Sequence, residues 1–267
     1  MAYIIGTNAS ETITGTEDGD SILGLGGDDH IIGLGDNDRL IGGLGADILD
    51  GGDGDDVYDL NADRSDTVID SSGWDGIRAT ISLDLEDYPG IENLVMATDA
   101  SGRVLLGNAL HNEMTDWNGS NLLDGRAGDD YLLANGGDDI LIGGMGVDYL
   151  HGGRGDDRFD FNAVAETGVG MGLGFHTRDQ IMDFERGDRI HLGRIDADAG
   201  HSGNQAFSFL GATGFTGSAG ELMMRQELLN TNEIGTVIAG DTDGDGIADF
   251  EIELRGTYAL TAADFIL

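Results

Sequence analysis

The chain has 267 residues with 51 acidic and 13 basic side chains, which gives a formal net charge of −38 at pH 7. Every basic residue is arginine, and no cysteine is present. This composition makes nucleic acid and anionic membranes poor partners, and it excludes a disulfide framework. No apolar run approaches a membrane span, and residues 1–10 lack the basic start and apolar core of a secretory signal peptide.

A repeat of nine residues dominates the first part of the chain. From Gly15, five units follow without a slip: GTEDGDSIL, GLGGDDHII, GLGDNDRLI, GGLGADILD and GGDGDDVYD. The sixth position of every unit is an aspartate, in order Asp20, Asp29, Asp38, Asp47 and Asp56. The eighth position is always apolar, in order Ile22, Ile31, Leu40, Leu49 and Tyr58.

A second run of the same repeat begins at Gly107 and ends at Asp160. It consists of GNALHNEMT, DWNGSNLLD, GRAGDDYLL, ANGGDDILI, GGMGVDYLH and GGRGDDRFD. The sixth position holds Asn112, Asn121, Asp130, Asp139, Asp148 and Asp157. The eighth position holds Met114, Leu123, Leu132, Leu141, Leu150 and Phe159. A short fixed period of this kind predicts stacked structural repeats.

Each unit predicts one turn and one short strand. Positions one to six are rich in Gly and Asp, which accept turn conformations. The three residues that follow suit a strand whose middle side chain points inward. Two units close a coil of about 18 residues, and coils stacked at about 4.8 Å bring each turn against the turn two units later. The pattern therefore predicts an all-β fold with a parallel β-roll in two blocks.

Stacking predicts that aspartates approach each other in pairs, such as Asp20 with Asp38 and Asp130 with Asp148. Such carboxylates repel one another unless a cation lies between them, and main-chain carbonyl oxygens of the turns can complete its shell. Calcium suits this flexible environment better than magnesium, which demands a tight octahedron, so the predicted cofactor is roughly five to eight Ca²⁺ ions. A disordered acidic tract is the alternative, and it stays open for the calcium-free chain.

The repeats resemble the GGxGxDxUx nonapeptide of the RTX proteins, which form a calcium-binding parallel β-roll. The resemblance covers roughly residues 6–59 and 107–160. It implies that calcium binds to the nine sixth-position aspartates and to main-chain oxygens at positions two and four. The implied main-chain ligands are Gly27, Gly43, Gly45, Gly52, Gly54, Gly128, Gly137, Gly144, Gly146, Gly153 and Gly155. Glu11, Asn112 and Asn121 depart from the motif and are predicted to be end caps.

Residues 61–106 lose the nine-residue period but keep short apolar stretches such as DTVID, GIRATISL and IENLVMA. We interpret them as an irregular β spacer that continues the solenoid between a first block at 1–60 and a second at 107–161. A separate small domain is the alternative. For Trp74 and Trp117, a turn-packing or core position is favoured over a platform for a sugar ring.

Residues 162–267 contain strand-like stretches such as RDQIMDF, DRIHL and ADFEIEL, spaced as in an antiparallel β-sandwich. Their order is similar to the C-terminal module of serralysin-type metalloproteases, which implies a β-sandwich that caps the roll. The segment from Asp264 to Leu267 resembles the uncleaved signal of bacterial type I secretion substrates. A terminal core strand is the alternative for this segment.

Asp241, Asp243 and Asp245 have the opening spacing of an EF-hand loop. The twelfth loop position is Ile252, where that loop needs a bidentate glutamate. We therefore predict a hairpin turn with at most a weak calcium site.

The sequence lacks the His-Glu-x-x-His zinc motif, the Gly-x-Ser-x-Gly motif, a cysteine nucleophile and a P-loop. We therefore predict that the chain is not an enzyme. Arg-Gly-Asp occurs at 154–156 and 186–188, and both copies are interpreted as turns and not as adhesion motifs. His176, His191 and His201 are interpreted as isolated residues and not as a zinc cluster.

These features predict a secreted, extracellular calcium-binding protein that leaves the cell through a type I ABC transporter apparatus and folds on calcium outside. Its further partner is predicted to be cell-surface or matrix polysaccharide. One alternative is a detached export and folding module of a secreted hydrolase, and another is a polysaccharide-modifying enzyme with an unrecognised site. A membrane-inserting pore former is disfavoured because no long apolar or amphipathic helix precedes the repeats.

Overall fold

The computed structural model describes residues 1–60, 65–70, 72–167, 177–230 and 233–267. The strands of the first block and its end are β1 (Tyr3–Ile5), β2 (Thr12–Thr14), β3 (Ser21–Gly26), β4 (His30–Gly35), β5 (Arg39–Leu44), β6 (Ile48–Asp53), β7 (Val57–Leu60) and β8 (Thr67–Ile69). The spacer and the second block contain β9 (Gly76–Ala79), β10 (Leu83–Asp84), β11 (Asn93–Met96), β12 (Val104–Leu106), β13 (Glu113–Thr115), β14 (Leu122–Asp124), β15 (Tyr131–Leu133), β16 (Ile140–Ile142), β17 (Tyr149–His151) and β18 (Arg158–Asp160).

The C-terminal part contains β19 (Gln180–Ile181), β20 (Arg189–His191), β21 (Ser208–Phe209), β22 (Glu221–Asn230), β23 (Glu233–Asp241), β24 (Phe250–Leu254) and β25 (Phe265–Ile266). Helical structure in the described residues is limited to 3₁₀ turns at Leu85–Asp87, Val164–Glu166 and Ala262–Asp264. The predicted all-β class is confirmed.

Successive strands alternate between two faces of a flattened coil. The odd-numbered strands β1 to β19 form one face as a parallel sheet, which β24, β23, β22 and β21 extend to fourteen strands. The other face consists of a four-stranded sheet, β2-β4-β6-β8, and a seven-stranded sheet, β10-β12-β14-β16-β18-β20-β25. Within the blocks the partners are 18 residues apart, as Ser21 with Arg39 and Leu123 with Leu141. The predicted parallel β-roll is confirmed.

The core is a double column of eighth-position side chains between the two faces. All eleven are 0 % exposed, in order Ile22, Ile31, Leu40, Leu49, Tyr58, Met114, Leu123, Leu132, Leu141, Leu150 and Phe159. Burying one large apolar side chain contributes about 1.5–3 kcal/mol. Each coil adds only two such residues, so a single coil is not stable without its stacked neighbours.

The spacer continues one face of the roll and interrupts the other. β9 pairs with β7 and β11, and β11 pairs with β13, so the long sheet runs through the spacer without a gap. On the opposite face, the four-stranded sheet ends at β8 and the seven-stranded sheet begins at β10. A 3₁₀ turn lies next to β10, and it buries Leu85.

The C-terminal part forms two layers that add to both sheets of the roll. β19 pairs in parallel with β17 and β24, and β20 pairs in parallel with β18 and β25. β23 pairs antiparallel with β24 on one side and with β22 on the other. Aromatic rings pack inside this cap, with ring centroids 5.5 Å apart for Phe207 and Phe250 and 4.8 Å apart for Phe209 and Phe265. The cap is thus a two-layered β-structure that shares its sheets with the roll.

Candidate metal centre

The turns of the roll place positions two and four in the left-handed region of backbone space. In one turn, φ is 109° at Gly43 and 136° at Gly45, values that residues with a Cβ adopt only at a cost. All eleven glycines predicted as main-chain ligands have a positive φ. Non-glycine residues occupy the same conformation at Leu25, Leu34, Asp36, Arg126 and Asn135.

Carbonyl oxygens of one turn lie directly against the turn 18 residues later. A Cβ added to Gly43 would overlap the carbonyl oxygen of Leu25, and a Cβ added to Gly45 would overlap that of Gly27. The second block repeats this arrangement, with Gly146 lying against the carbonyl oxygen of Gly128. The stacked turns therefore bring main-chain oxygens together, and a side chain at these glycines would fill the space between the turns.

The sixth-position aspartates form two rows, one at each edge of the flattened coil. In each row one carboxylate oxygen, Oδ1, accepts the backbone N–H of the residue one coil earlier. The donor-to-acceptor distances are 2.6 Å for Asp20 to Asp38, 2.8 Å for Asp29 to Asp47, 2.7 Å for Asp38 to Asp56, 2.7 Å for Asn112 to Asp130, 2.7 Å for Asn121 to Asp139, 2.8 Å for Asp130 to Asp148 and 2.8 Å for Asp139 to Asp157. The predicted stacking at a separation of 18 residues is therefore present.

The other carboxylate oxygen, Oδ2, is buried without a hydrogen-bond partner in most of these aspartates. This holds for Asp29, Asp38, Asp56, Asp130, Asp139, Asp148 and Asp157. A buried carboxylate oxygen without a partner is costly. Oxygens of this kind, beside main-chain carbonyl oxygens, are the donor set that calcium prefers. The residues present therefore fit a calcium ion, which would supply the missing positive charge between stacked turns.

The pKa values of the row aspartates reflect this burial. Burial is the largest cause in each case, and it raises the pKa of Asp130 to about 8 and the pKa of Asp148 to about 7. It also raises the pKa of Asp139 to about 7 and the pKa of Asp38 to about 6. Neighbouring carboxylates add to the effect, as Asp148 does at Asp130. Burial therefore disfavours the ionised form of these carboxyl groups unless a cation neutralises the negative charge.

Asp20 differs from the other sixth-position aspartates. Its Oδ2 accepts hydrogen bonds from the Thr16 N–H at 2.7 Å and the Thr16 hydroxyl at 2.9 Å. The Ala2 N–H is the largest cause that lowers the pKa of Asp20. Asn112 closes its turn in the same way, because its Oδ1 accepts the Asn108 N–H at 2.8 Å. Asp20 thus has the geometry expected of an end cap, with both oxygens bonded by the protein.

Both rows extend beyond the nine-residue repeats, which the sequence analysis did not predict. The Asp56 N–H donates to Asp75 at 2.7 Å, and the Asp148 N–H donates to Asp179 at 2.9 Å. Two further pairs are Asp47 with Asp66 at 3.0 Å and Asp157 with Asp188 at 3.0 Å. Each added aspartate is followed by one residue and then an apolar strand residue, as in the repeat. An aspartate two residues before an apolar strand residue was therefore the signal that the sequence offered. These four aspartates do not fall on the nine-residue period, so the period alone does not predict them.

The candidate loop at Asp241, Asp243 and Asp245 lies between β23 and β24. Carboxylate oxygens of Asp241, Asp243 and Asp249 lie within 4.8 Å of one another. Asp245 does not join them, because its Oδ1 accepts the Ile247 N–H at 2.7 Å inside the turn. Backbone N–H groups already donate to both oxygens of Asp241. The flanking strands agree with the predicted hairpin turn.

The remaining sequence candidates are the two tryptophans, the three histidines and the two Arg-Gly-Asp segments. Trp74 and Trp117 are exposed, and Trp74 contacts the ring of His111 with centroids 5.4 Å apart. The Nδ1 atom of His191 lies 3.1 Å from Asp160 Oδ1, and the Nδ1 atom of His201 lies 2.5 Å from Asp198 Oδ2. His176 is outside the described residues. The Arg-Gly-Asp at 154–156 belongs to a repeat turn, and that at 186–188 lies between β19 and β20.

A family model of the RTX calcium-binding nonapeptide repeat matches the chain in four copies, at residues 5–40, 32–66, 118–150 and 135–163. No curated protein matches the chain. Among solved structures, the AlgE6R3 subunit of the Azotobacter vinelandii mannuronan C5-epimerase is 26% identical with a TM-score of 0.44. Its alignment covers 62% of this chain and 82% of that one.

The extracellular lipase LipA from Serratia marcescens is 16% identical with a TM-score of 0.37. Its alignment covers 99% of this chain, which spans only 39% of the lipase. No helix among the described residues is long and apolar enough to cross a membrane. Proteins with this repeat are typically extracellular. Residues 5–66 and 118–163 therefore match the RTX calcium-binding nonapeptide repeat, and the parallel roll with its two rows of buried aspartates agrees with the calcium-binding β-roll that this repeat implies.

Proposed function

We propose that this chain is a secreted protein whose folding is switched on by extracellular calcium. The observation that carries the proposal is the pair of aspartate rows, in which one oxygen of each internal carboxylate is buried without a protein partner. Without a cation, folding would bury many like charges in one molecule that already carries a charge of −38. Folding of the repeat turns and binding of calcium to them are then one coupled event. We propose that the two rows together bind roughly five to eight ions, as calcium between stacked pairs of turns would allow.

The affinity typical of extracellular calcium modules sets where folding occurs. Such modules bind with a Kd of about 10⁻⁴ to 10⁻³ M, far above the free calcium inside a cell. The chain would therefore stay unfolded during synthesis and fold after export. The segment from Asp264 to Leu267 is the proposed address for a type I transporter. In the folded protein Phe265 is buried and β25 is paired with β20, so a transporter would have this segment accessible only before folding.

The extracellular role that we propose is non-catalytic binding of acidic polysaccharide. A depression of about 300 Å³ lies on the outer face of the long sheet at the spacer. Gly76 forms its floor. This glycine occupies an outward-facing strand position between Val57 and Asn93, and because it has no side chain it leaves a gap in the row of side chains. Trp74 and Arg78 also line it. An aromatic ring beside a guanidinium suits a sugar ring that bears a carboxylate.

Calcium-dependent folding is tested by far-ultraviolet circular dichroism from zero to about 10 mM calcium, a range that brackets the affinities of such modules. The expected result is a cooperative gain of β-structure. Unchanged spectra over the whole range would refute the folding switch.

Polysaccharide binding is tested by retention on an immobilised polyuronate in calcium and in EDTA, with Trp74→Ala and its matched control Trp117→Ala. Retention in calcium that Trp74→Ala abolishes and Trp117→Ala preserves is expected. A folded, calcium-loaded protein that passes through unretained would refute this role. Turnover of the polyuronate by the pure chain would refute the non-catalytic part.

A further inference from the structure

Three carboxylates meet where the first block joins the spacer. Oxygens of Asp56, Asp70 and Asp75 lie within 4.8 Å of one another. Asp56 is the last sixth-position aspartate of the first block, whereas Asp70 follows β8 and Asp75 precedes β9. We call these three residues the junction triad. Neither Asp70 nor Asp75 belongs to a nine-residue unit, and both lie in the stretch between residues 66 and 118 that the family model does not match.

The side chain of Asp56 is aimed into this cluster with an oxygen that the described protein groups leave unbonded. Asp56 is 1 % exposed, and its Oδ2 is buried without a hydrogen-bond partner. A Cβ on Gly51 would overlap both this Oδ2 and the hydroxyl of Tyr58, so the two oxygens lie together over Gly51. The Tyr58 hydroxyl in turn donates to Asp70 Oδ2 at 2.5 Å. Tyr58 therefore positions Asp70 beside the unbonded oxygen of Asp56.

A main-chain carbonyl oxygen, that of Gly54, also lies close to the triad. Gly73 has a φ of 148°, and a Cβ there would overlap the carbonyl oxygen of Gly54 and lie 2.8 Å from Asp75 Oδ1. The turn before β9 thus needs a glycine to let these oxygens approach. Asp70 is only half-buried, so the cluster has an access path from solvent. Burial and the neighbouring Asp70 raise the pKa of Asp75 to about 7, which marks an excess of negative charge.

We propose that the junction triad binds one calcium ion of its own and binds it more tightly than the repeat turns do. Three carboxylates converge here, one more than two stacked repeat turns supply, and calcium affinity rises with the number of charged ligands. The flexible mixture of carboxylate and carbonyl oxygens favours calcium over magnesium. The bound ion ties Asp70 and Asp75 to the end of the first block, which lets the long sheet continue from β7 to β9.

This inference rests on the proposed calcium-dependent folding, and the experiment separates the two. Equilibrium dialysis of the full chain against radioactive calcium at pH 7.5 is expected to show one ion bound at about tenfold lower free calcium than the others. Asp70→Asn removes one charge of the triad and should weaken this first event about tenfold or more. The later events and the final β-content should change little.

The matched control is Asp55→Asn. Asp55 lies beside Asp56 in the chain, and its Oδ1 accepts the Trp74 N–H at 3.0 Å. Asparagine keeps that acceptor, as Asn37 does one coil earlier when it accepts the Asp55 N–H at 2.9 Å. The control should therefore leave the first binding event unchanged. Identical isotherms for Asp70→Asn and the wild type would overturn the triad site and would mean that its acids only share a proton. A wild-type chain that binds no calcium would overturn the proposed function as well.

Tyr58→Phe keeps the test decisive if Asp70→Asn does not fold in calcium. Phenylalanine fits this buried position, because Phe159 occupies the equivalent place in the second block. The variant removes only the hydroxyl that holds Asp70. A threefold to tenfold weaker first event with an unchanged number of ions supports the site, on the scale of about 1 kcal/mol for a lost hydrogen bond. An unchanged first event overturns it.

Discussion

The two blocks of the roll use the same repeat but differ in the environment of their carboxylates. Burial raises the pKa of Asp38 in the first block to about 6, whereas it raises the pKa of Asp130 in the second block to about 8. The first block lies at the end of both faces, where β1 and β2 are edge strands. The second block lies between the spacer and the cap, with further strands on both sides. Stacked layers exclude water, so the same motif becomes more dependent on a cation in the middle of the solenoid.

The steric requirements of the turns, in contrast, are the same in both blocks. Gly45 in the first block and Gly146 in the second both have a positive φ and lie against a carbonyl oxygen of the preceding coil. Backbone geometry is therefore a property of the repeat itself, whereas electrostatics depend on position in the stack. Variants of the two kinds should separate these contributions.

Removal of calcium should have the largest effect. At pH 7.5 in EDTA we expect both blocks to lose their β-structure, because the aspartates are ionised in the unfolded chain at this pH and folding would bury them without a counterion. Hydrogen exchange measured by mass spectrometry would follow the blocks separately. Fast exchange is expected at the row amides, such as those of Asp38 and Asp148, which donate to stacked carboxylates in the folded protein. Protection of the second block in EDTA would contradict the proposed dependence on calcium.

Gly146→Ala should have the next largest effect. The added methyl group would overlap the carbonyl oxygen of Gly128 in a left-handed turn, so we expect a loss of about 3 kcal/mol or more in the free energy of unfolding in calcium. Gly45→Ala should cost about as much, because its contacts are equivalent. Urea unfolding in saturating calcium measures both.

Gly136→Ala is the control for these glycine variants. Gly136 lies outside the left-handed region, and the closest atom to an added Cβ is Asn118 Oδ1 at 3.4 Å. Alanine there should change the free energy of unfolding by less than about 1 kcal/mol. A large loss at Gly136, or a much smaller loss at Gly45 than at Gly146, would show that the steric rule is not common to the two blocks.

The sequence was sufficient to predict the periodic part of this architecture. The eighth-position side chains are all buried, and the sixth-position aspartates stack at 18 residues, because the period of nine fixes which side chains meet. Asp75 and Asp179 escaped prediction because irregular loops change the separation to 19 and 31 residues. The difference between Asp20 and its neighbours depends on Thr16, whose hydroxyl and N–H no periodic pattern specifies.

Neutralising a single row aspartate should have a smaller effect that depends on the block. Asp148→Asn should raise the calcium concentration at the folding midpoint about tenfold, and Asp38→Asn about threefold, because attraction to calcium is stronger where water is excluded. Asparagine keeps the Oδ1 acceptor for the preceding N–H, which limits other changes. Calcium titrations followed by circular dichroism give both midpoints. A larger shift for Asp38→Asn would reverse the order of the two blocks.

Acidification in EDTA should have the smallest effect and the opposite sign to the usual acid denaturation. A carboxyl whose pKa is raised by folding stabilises the folded state below its unfolded pKa of about 4, and this contribution is lost as the pH rises through its folded pKa. The calcium-free roll should therefore regain some β-structure as the pH falls from 8 to 5, first through Asp130 and Asp148 and then through Asp38. Circular dichroism in EDTA would measure this gain. Asp130→Asn should reduce the gain throughout the range below about pH 8, whereas Asp38→Asn should reduce it only below about pH 6. Equal changes from the two variants would mean that position in the stack does not determine how strongly a turn resists negative charge.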